Sequence, residues 1–196
     1  MKLAILIQAI INISIPFVDI LLYIAFVKLE IPPSISATYY TNIGTFVFSL
    51  ITASNVLYFI YPSKEKAEKI FHLMLGILGT LVIMFPTGGA NISGNVGLFN
   101  IDVKYSNIVH VSSAFTYFII MFIIILYFNL PKYKNGNYDK FYIVIGIIYG
   151  STLILFLIGL LANFKEYFAW TFFIEVLLFV EIGIFHFHKL RRLTDE

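Results

Sequence analysis

The sequence predicts an all-α, polytopic membrane protein: a bundle of six transmembrane helices with both termini in the cytoplasm. Composition, the number of long apolar runs and the distribution of basic residues lead to this fold class. Of the 196 residues, 60% are hydrophobic and only 12% are charged, and the mean hydropathy is +0.91. Soluble domains contain about 25% charged residues, so this chain has too few to cover a water-exposed surface. The absence of cysteine excludes disulfides, thiolate metal sites and a cysteine nucleophile.

Six apolar runs follow one another along the chain, each close to the length of about 20 residues that spans a bilayer. The predicted spans are residues 3–27, 43–61, 70–86, 108–130, 141–162 and 169–188, and the third is the shortest. Pro62, Pro86 and Pro131 follow or end the second, third and fourth runs, where a proline stops a helix. The first run contains Asp19 and no clear cleavage site, so we interpret it as a retained helix. The six spans form one predicted domain, residues 1–196.

The basic residues are distributed unequally between the two sides of such a bundle. If both termini are cytoplasmic, only Lys28, Lys104 and Lys165 of the thirteen basic residues lie outside, which leaves ten inside. Basic residues are enriched in cytoplasmic loops. The bias therefore supports both the orientation and an even number of spans.

Three carboxyl groups lie within the predicted spans: Asp19 on the first, and Glu175 and Glu181 on the sixth. An acidic residue near the bilayer centre costs about 2.5–3.5 kcal/mol, so each should face the bundle interior and have a partner. At about 1.5 Å per residue, Asp19 lies about 12 Å and Glu175 about 9 Å below the outer ends of their helices. His110 lies only about 3 Å below the outer end of the fourth helix.

From these depths we predict that Asp19, His110 and Glu175 converge in the outer half of the bundle and share one proton. The loop formed by residues 87–107 would cover them as a lid. Asn12 and Ser113 complete the predicted polar pocket. Glu181 lies deeper, about 18 Å below the outer end of its helix, and is predicted to be a structural, uncharged acid.

Polar and small residues recur at steps of three and four on the first three spans, so each set occupies one helix face. The sets are Gln8, Asn12, Pro16, Asp19 and Tyr23, then Thr45, Ser49, Thr52 and Asn55, then His72, Gly76, Gly79 and Thr80. These faces are predicted to point into the bundle, where small and polar residues pack helices together.

Three stretches carry a family resemblance: IPPSISATYYTNIGTFVFSL, NIVHVSSAFTYF and YFAWTFFIEVLLFVEIGIFHFHKL. They resemble the DRAM-like (damage-regulated autophagy modulator) family of six-span proteins, relatives of which are linked to GPI-lipid remodelling and phosphoinositide biology. The residues at matching places are Pro33, Ile35, Ser36, His110 and Glu175. Val176 stands where the family has an aromatic residue, and residues 37–40 lack the acidic residue and proline that usually follow. The resemblance implies a role in handling or sensing lipid, without an established catalytic mechanism.

We therefore expect an integral, multi-pass membrane protein that binds, senses or helps handle lipid through the polar pocket in its outer half. Membrane lipids are the expected partners, and neither a metal nor another cofactor is expected. The net charge of +2 is small and gives no indication of nucleic-acid binding.

Four alternatives stay open. His110 and the two carboxyl groups near it could form a purely packing site that stabilises the bundle. The chain could be a non-catalytic accessory subunit whose aromatic residues, 18% of the sequence, contact partner membrane subunits. A metal-dependent intramembrane lipid hydrolase is weaker, because the outer cluster offers one histidine and two acids and the chain lacks a His-x-x-x-His motif. His72 and His186, at similar depth, could hold a haem.

Overall fold

The computed structural model describes residues 2–61, 63, 65–87, 93–128, 140–162 and 170–195. Within these residues the chain is all-helical apart from one short hairpin. The helices are α1 (Lys2–Phe26), α2 (Gly44–Phe59), α3 (Lys66–Met84), α4 (Val103–Ile123), α5 (Lys140–Leu161) and α6 (Trp170–Asp195). Five of them, all except α2, are long and apolar enough to cross a membrane. These are the features of a multi-pass membrane protein.

The six helices form a ring in chain order, because each packs against the next and α6 packs extensively against α1. Gly183 permits the close approach of α6 to α1, since a Cβ at this position would lie 3.0 Å from the carbonyl oxygen of Ala9. The predicted convergence of Asp19, His110 and Glu175 would make α1, α4 and α6 mutual neighbours. That expectation is wrong for α1 and α4, because α4 packs mainly against α3, whereas α4 and α6 meet where Phe118 contacts Phe179.

Helix α4 begins at Val103, five residues earlier than predicted, because polar residues cap it. The Asp102 side chain accepts a hydrogen bond from the backbone N–H of Lys104 at 2.8 Å, which satisfies one of the free N–H groups of the first turn. His110 therefore lies about 10 Å from the start of its helix rather than about 3 Å. At its other end α4 continues as a π-helical turn, Ile124–Phe128.

Helix α2 is the shortest of the six, with 16 residues, whereas the third span was expected to be shortest. The residues before it form a 3-10 helix, Ser36–Tyr40, which we call the cap. The cap folds onto the start of α2 so closely that a side chain at Gly44 would collide with the backbone carbonyls of Thr38 and Tyr39. α2 matches its predicted span, 43–61, within two residues, whereas α3 begins four residues before its predicted start at residue 70 and is therefore the longer helix.

The other helix ends agree with the predictions to differing degrees. α1 and α5 match their predicted spans within one or two residues, whereas α6 runs about two turns beyond residue 188. Pro86 follows α3 by two residues. Pro62, Pro131, Lys165 and the predicted ends at 130 and 169 lie outside the described residues.

The described part of the predicted lid forms a two-stranded antiparallel hairpin, β1 (Asn95–Val96) and β2 (Ile101–Asp102). Phe99 in its turn stacks on Phe85 just after α3, with ring centroids 5.1 Å apart. The hairpin therefore packs at the end of the bundle where the cap lies, which we call the cap end. Residues 88–92 of the predicted lid lie outside the described residues.

The predicted polar face of α1 is buried, but that of α2 is not. Gln8, Asn12, Pro16 and Asp19 all point into the bundle. Thr45, Ser49 and Thr52 are exposed, and this prediction is wrong. The hydroxyls of Ser49 and Thr52 donate to carbonyls four residues earlier at 2.7 Å, so they need no partner on another helix. Of this set, only Asn55 is buried.

Candidate functional site

A cavity lies between α2, α3, α4 and α6, and the start of the cap contributes Ile35 and Ser36 to its wall. The volume of the cavity is about 60 Å³, which is room for about four to six waters. We call it the cap cavity. Most of its wall is apolar, and its polar side chains are Ser36, Ser54, Asn55, His110, Tyr117 and Glu175. The cap, rather than any described residue of the predicted lid, covers it.

His110 is held in one orientation by the end of α3. Its Nδ1 lies 2.9 Å from the carbonyl oxygen of Val82 and 2.8 Å from that of Phe85. Carbonyl oxygens only accept hydrogen bonds, so Nδ1 carries the proton and Nε2 is left as an acceptor. The Ser36 Oγ lies 3.0 Å from Nε2 and therefore donates to it. The imidazole is 3% exposed.

Glu175 binds the start of the cap. Its Oε2 accepts a hydrogen bond from the backbone N–H of Ile35 at 2.6 Å. The Ser36 Oγ is 3.4 Å from Oε1, longer than a usual O–H···O bond, so His110 is the better acceptor for this hydroxyl. Because the first N–H groups of a helix have no partner within it, the carboxyl group of α6 stabilises the position of the cap.

Asp19 lies near this group but is not among the residues that line the cavity. It is fully buried, and neither carboxyl oxygen has a hydrogen-bond partner within the described part of the chain. Its neighbours include Glu175 and the Thr38 hydroxyl. The Thr38 hydroxyl donates its hydrogen bond to the Ile35 carbonyl at 2.7 Å rather than to Asp19. The structure thus brings His110 and Glu175 together through Ser36 and places Asp19 close to Glu175, beside the cap.

The remaining predicted pocket residues lie around the cavity rather than in it. Asn12 Oδ1 accepts a hydrogen bond from Ser54 Oγ at 3.0 Å, and Ser54 Oγ in turn accepts one from Gln8 Nε2 at 2.9 Å. Asn12 therefore reaches the cavity only through Ser54, which lines it. Ser113 is buried on α4 but does not line the cavity.

Glu181 lies elsewhere, between α5 and α6. Its Oε1 accepts a hydrogen bond from the Thr152 hydroxyl at 2.8 Å, and the carboxyl group is 5% exposed. Its Oε2 has no partner among the residues that the structure describes. Glu175 and Glu181 thus have separate partners on different elements.

A second polar cluster, which the sequence analysis missed, lies at the end of the bundle opposite the cap. Lys189 and Glu68 form an ion pair between α6 and α3, and their side chains are 8% and 2% exposed. The Ser63 hydroxyl donates to the other oxygen of Glu68. One signal was available: Glu68 precedes His72 by four residues, so it lies on the helix face that carries Gly76 and Gly79.

His72 and His186 also belong to this cluster. The Tyr61 ring stacks on His72, with centroids 3.6 Å apart, and lies 5.9 Å from His186. Tyr58 is about 6 Å from both imidazoles. The two tyrosine rings therefore pack beside the histidines between which a haem was considered above. Among the residues of known position, no group of three or more His, Asp or Glu is arranged to hold a metal ion.

No protein-family model, curated protein or solved structure matches the chain. The DRAM-like resemblance therefore stays a prediction, and the functional proposal depends on the cap cavity.

Proposed function

We propose that the chain is a six-span membrane protein, with both termini cytoplasmic, that binds a membrane lipid at the cap cavity in the outer half of the bundle. The sixth span would be α2. Its 16 residues cover about 24 Å, somewhat less than the hydrocarbon core of about 30 Å. The cap, folded against its outer end, would account for the difference. α2 also packs between α1 and α3, two helices long enough to cross.

The orientation predicts which side each loop occupies. Because the chain has no cysteine, an introduced one can be labelled alone in intact cells. We expect a membrane-impermeant maleimide to label Ser93→Cys beside the hairpin and to leave Ala67→Cys near the start of α3 unlabelled until the cells are lysed. Both positions are exposed, so burial does not account for a difference. The opposite labelling pattern would invert the bundle and place the cap cavity in the inner half.

The observation that supports lipid binding most strongly is the order of polar and apolar groups along the cavity. Ser36, His110 and Glu175 form its polar side at the cap, and the walls are apolar side chains such as Phe48 and Phe179. A membrane lipid has the same order, with a polar region above an apolar chain. A lipid in this cavity would place its polar region beside the cap.

The inner part of the cavity offers an unsatisfied hydrogen-bond donor. Asn55 is 4% exposed and lines the cavity, and its Nδ2 has no partner within the described residues. Its side chain lies against Gly79, where a Cβ would collide with it. A buried donor without a partner costs about 1–3 kcal/mol, so a ligand oxygen or a water at this point is favoured. Ester groups of lipids supply such acceptor oxygens.

The volume and charge of the cavity restrict the ligand. Pockets that enclose a drug-sized ligand measure about 300–1,000 Å³, so 60 Å³ accommodates only part of a lipid, and the remainder would stay in the bilayer. The lining contains Glu175 but no lysine or arginine. We therefore infer that a neutral ester or hydroxyl region enters, rather than a phosphate or phosphoinositide group.

A substitution that fills the cavity tests the proposal. Ala114 lines the cavity on α4, so Ala114→Leu should displace the bound lipid while leaving every polar group in place. Ala53→Leu on the exposed face of α2 makes the same change outside the cavity and is the matched control. In native mass spectra of gently purified protein, we expect lipid adducts for the wild type and Ala53→Leu, and a loss of at least tenfold for Ala114→Leu. Equal adducts in all three would contradict the cavity as the lipid site.

The accessory-subunit alternative concerns another surface. The outward face of α5 exposes apolar side chains, among them Ile147, Ile148 and Ile154. Lipid tails or a partner helix would cover such a face equally well, so it favours neither function.

A further inference from the structure

Ser36 and His110 have the geometry of a nucleophile and its general base. The Ser36 Oγ lies 3.0 Å from His110 Nε2, within the range of about 2.6–3.2 Å that such pairs show. Nε2 is the unprotonated nitrogen, because Nδ1 donates to the carbonyl oxygens of Val82 and Phe85. These two carbonyls orient the base, as a third group does in hydrolases of this kind.

The cap has an attachment besides this contact, because Glu175 accepts a hydrogen bond from the Ile35 N–H at 2.6 Å. Glu175 is thus a positioning residue that fixes the backbone beside the serine. Its own contact with the Ser36 Oγ, at 3.4 Å, is too long to compete well for the hydroxyl proton. The serine hydroxyl therefore points its proton at the base.

Ser36 also has access to a substrate. It is partly exposed, whereas His110 behind it is buried, and both line the cap cavity. The same cavity contains the Asn55 amide, whose Nδ2 has no partner among the described residues and can donate to a carbonyl oxygen. A nucleophile, a base and a hydrogen-bond donor therefore line one cavity.

We propose that Ser36 is the nucleophile, and His110 the general base, of an acyl transfer from the ester of a lipid bound in the cap cavity; this rests on the proposed lipid site. The Ser36 Oγ attacks the ester carbonyl carbon as its proton passes to His110 Nε2. The tetrahedral intermediate collapses, the C–O bond to the lipid alcohol breaks, and the alcohol leaves with the proton from His110. Water or the hydroxyl of a second lipid then attacks acyl-Ser36, with His110 again taking and returning the proton, and the free serine is restored.

A fluorophosphonate, which phosphonylates activated serines, tests the nucleophile directly. We expect it to add to one residue of the purified wild type, identified by peptide mass spectrometry as Ser36. Ser36→Ala should abolish the adduct, and His110→Gln should slow its formation by about 10²- to 10⁴-fold, the usual contribution of a general base. Ser112→Ala is the matched control and should not affect the rate, because this serine is exposed on α4 and its hydroxyl donates to carbonyls of its own helix.

A measurement of retained lipid distinguishes failure of the Ser36 nucleophile from failure of the lipid site. Each variant is also examined by native mass spectrometry and thermal unfolding, so that a folding defect in His110→Gln is recognised. Folded wild type that retains lipid but forms no adduct at Ser36 would overturn the nucleophile and leave the lipid site standing. Wild type that retains no lipid counts against the lipid site itself. Release or transfer of a fatty acyl chain from vesicles of a neutral ester lipid, absent in Ser36→Ala, would support the complete reaction.

Discussion

Lys189→Met is expected to lower the free energy of unfolding by about 3–5 kcal/mol, the usual cost of removing one partner of a buried ion pair. Lys189 is the charged partner of Glu68, and its Nζ also lies 5.0 Å from the centre of the Tyr61 ring. The substitution would leave the Glu68 carboxylate 2% exposed and without its counter-charge. Its cost would appear as a lower unfolding midpoint in detergent, measured by thermal or denaturant titration.

The double variant Glu68→Gln with Lys189→Met distinguishes a lost charge pair from lost packing. Replacing both charges removes the unpaired ion, so most of the stability should return. Lys66→Met is the matched control, because Lys66 is exposed at the start of α3. A single variant as stable as the wild type, or a double variant as unstable as the single, would show that the pair is not what stabilises this end of the bundle.

Glu175→Leu is expected to release the cap and with it the bound lipid. The substitution removes the acceptor of the Ile35 N–H, a hydrogen bond to a carboxyl group worth about 1.5–3 kcal/mol. Glu175→Gln keeps an acceptor oxygen and should destabilise the cap less. Hydrogen exchange at the Ile35 amide reports cap release, and we expect it to accelerate by about ten- to a hundredfold, the equivalent of 1.4–2.8 kcal/mol.

The control for this prediction is Glu30→Leu on the same side of the bundle. Glu30 is exposed, and its partner among the described residues is Lys28 at the surface, an interaction worth about 0–1 kcal/mol. It should leave both Ile35 exchange and lipid retention unchanged. Exchange that stays slow in Glu175→Leu would mean that other contacts hold the cap and that Glu175 does not position Ser36.

Much of the helical fold could be predicted because long apolar runs determine it. α1, α2 and α5 match within one or two residues, since each helix coincides with its apolar run. The start of α4 could not be predicted from hydropathy, because the polar Asp102 caps it ahead of the apolar run. The third span was underestimated because the first turn of α3, which contains Lys66 and Glu68, is polar and lies outside the apolar run.

The sequence predicted two residues of the candidate site, His110 and Glu175, but not the hydrogen bonds that link them. His110 and Glu175 were chosen from depth and motif, yet Ser36 links them across 74 and 139 residues of sequence. The exposed face of α2 was misread because a helix carbonyl satisfies each of the Ser49 and Thr52 hydroxyls.

The Glu68–Lys189 pair was missed for a different reason. Charges near the ends of spans have the same pattern whether they face water or each other. Only the packing of α3 and α6, which brings together residues 121 positions apart, identifies them as partners.

Photochemical crosslinking of a bound lipid tests the central claim most directly. A neutral glycerolipid with a diazirine on the first carbons of one acyl chain is bound to the wild type, illuminated, and its attachment sites are read by tandem mass spectrometry. We predict attachment to cavity residues such as Phe48, Ile51 and Phe118, and its loss in Ala114→Leu but not in Ala53→Leu. Attachment only to outward-facing residues such as Phe46 and Ile148, unchanged by Ala114→Leu, would contradict a lipid in the cap cavity.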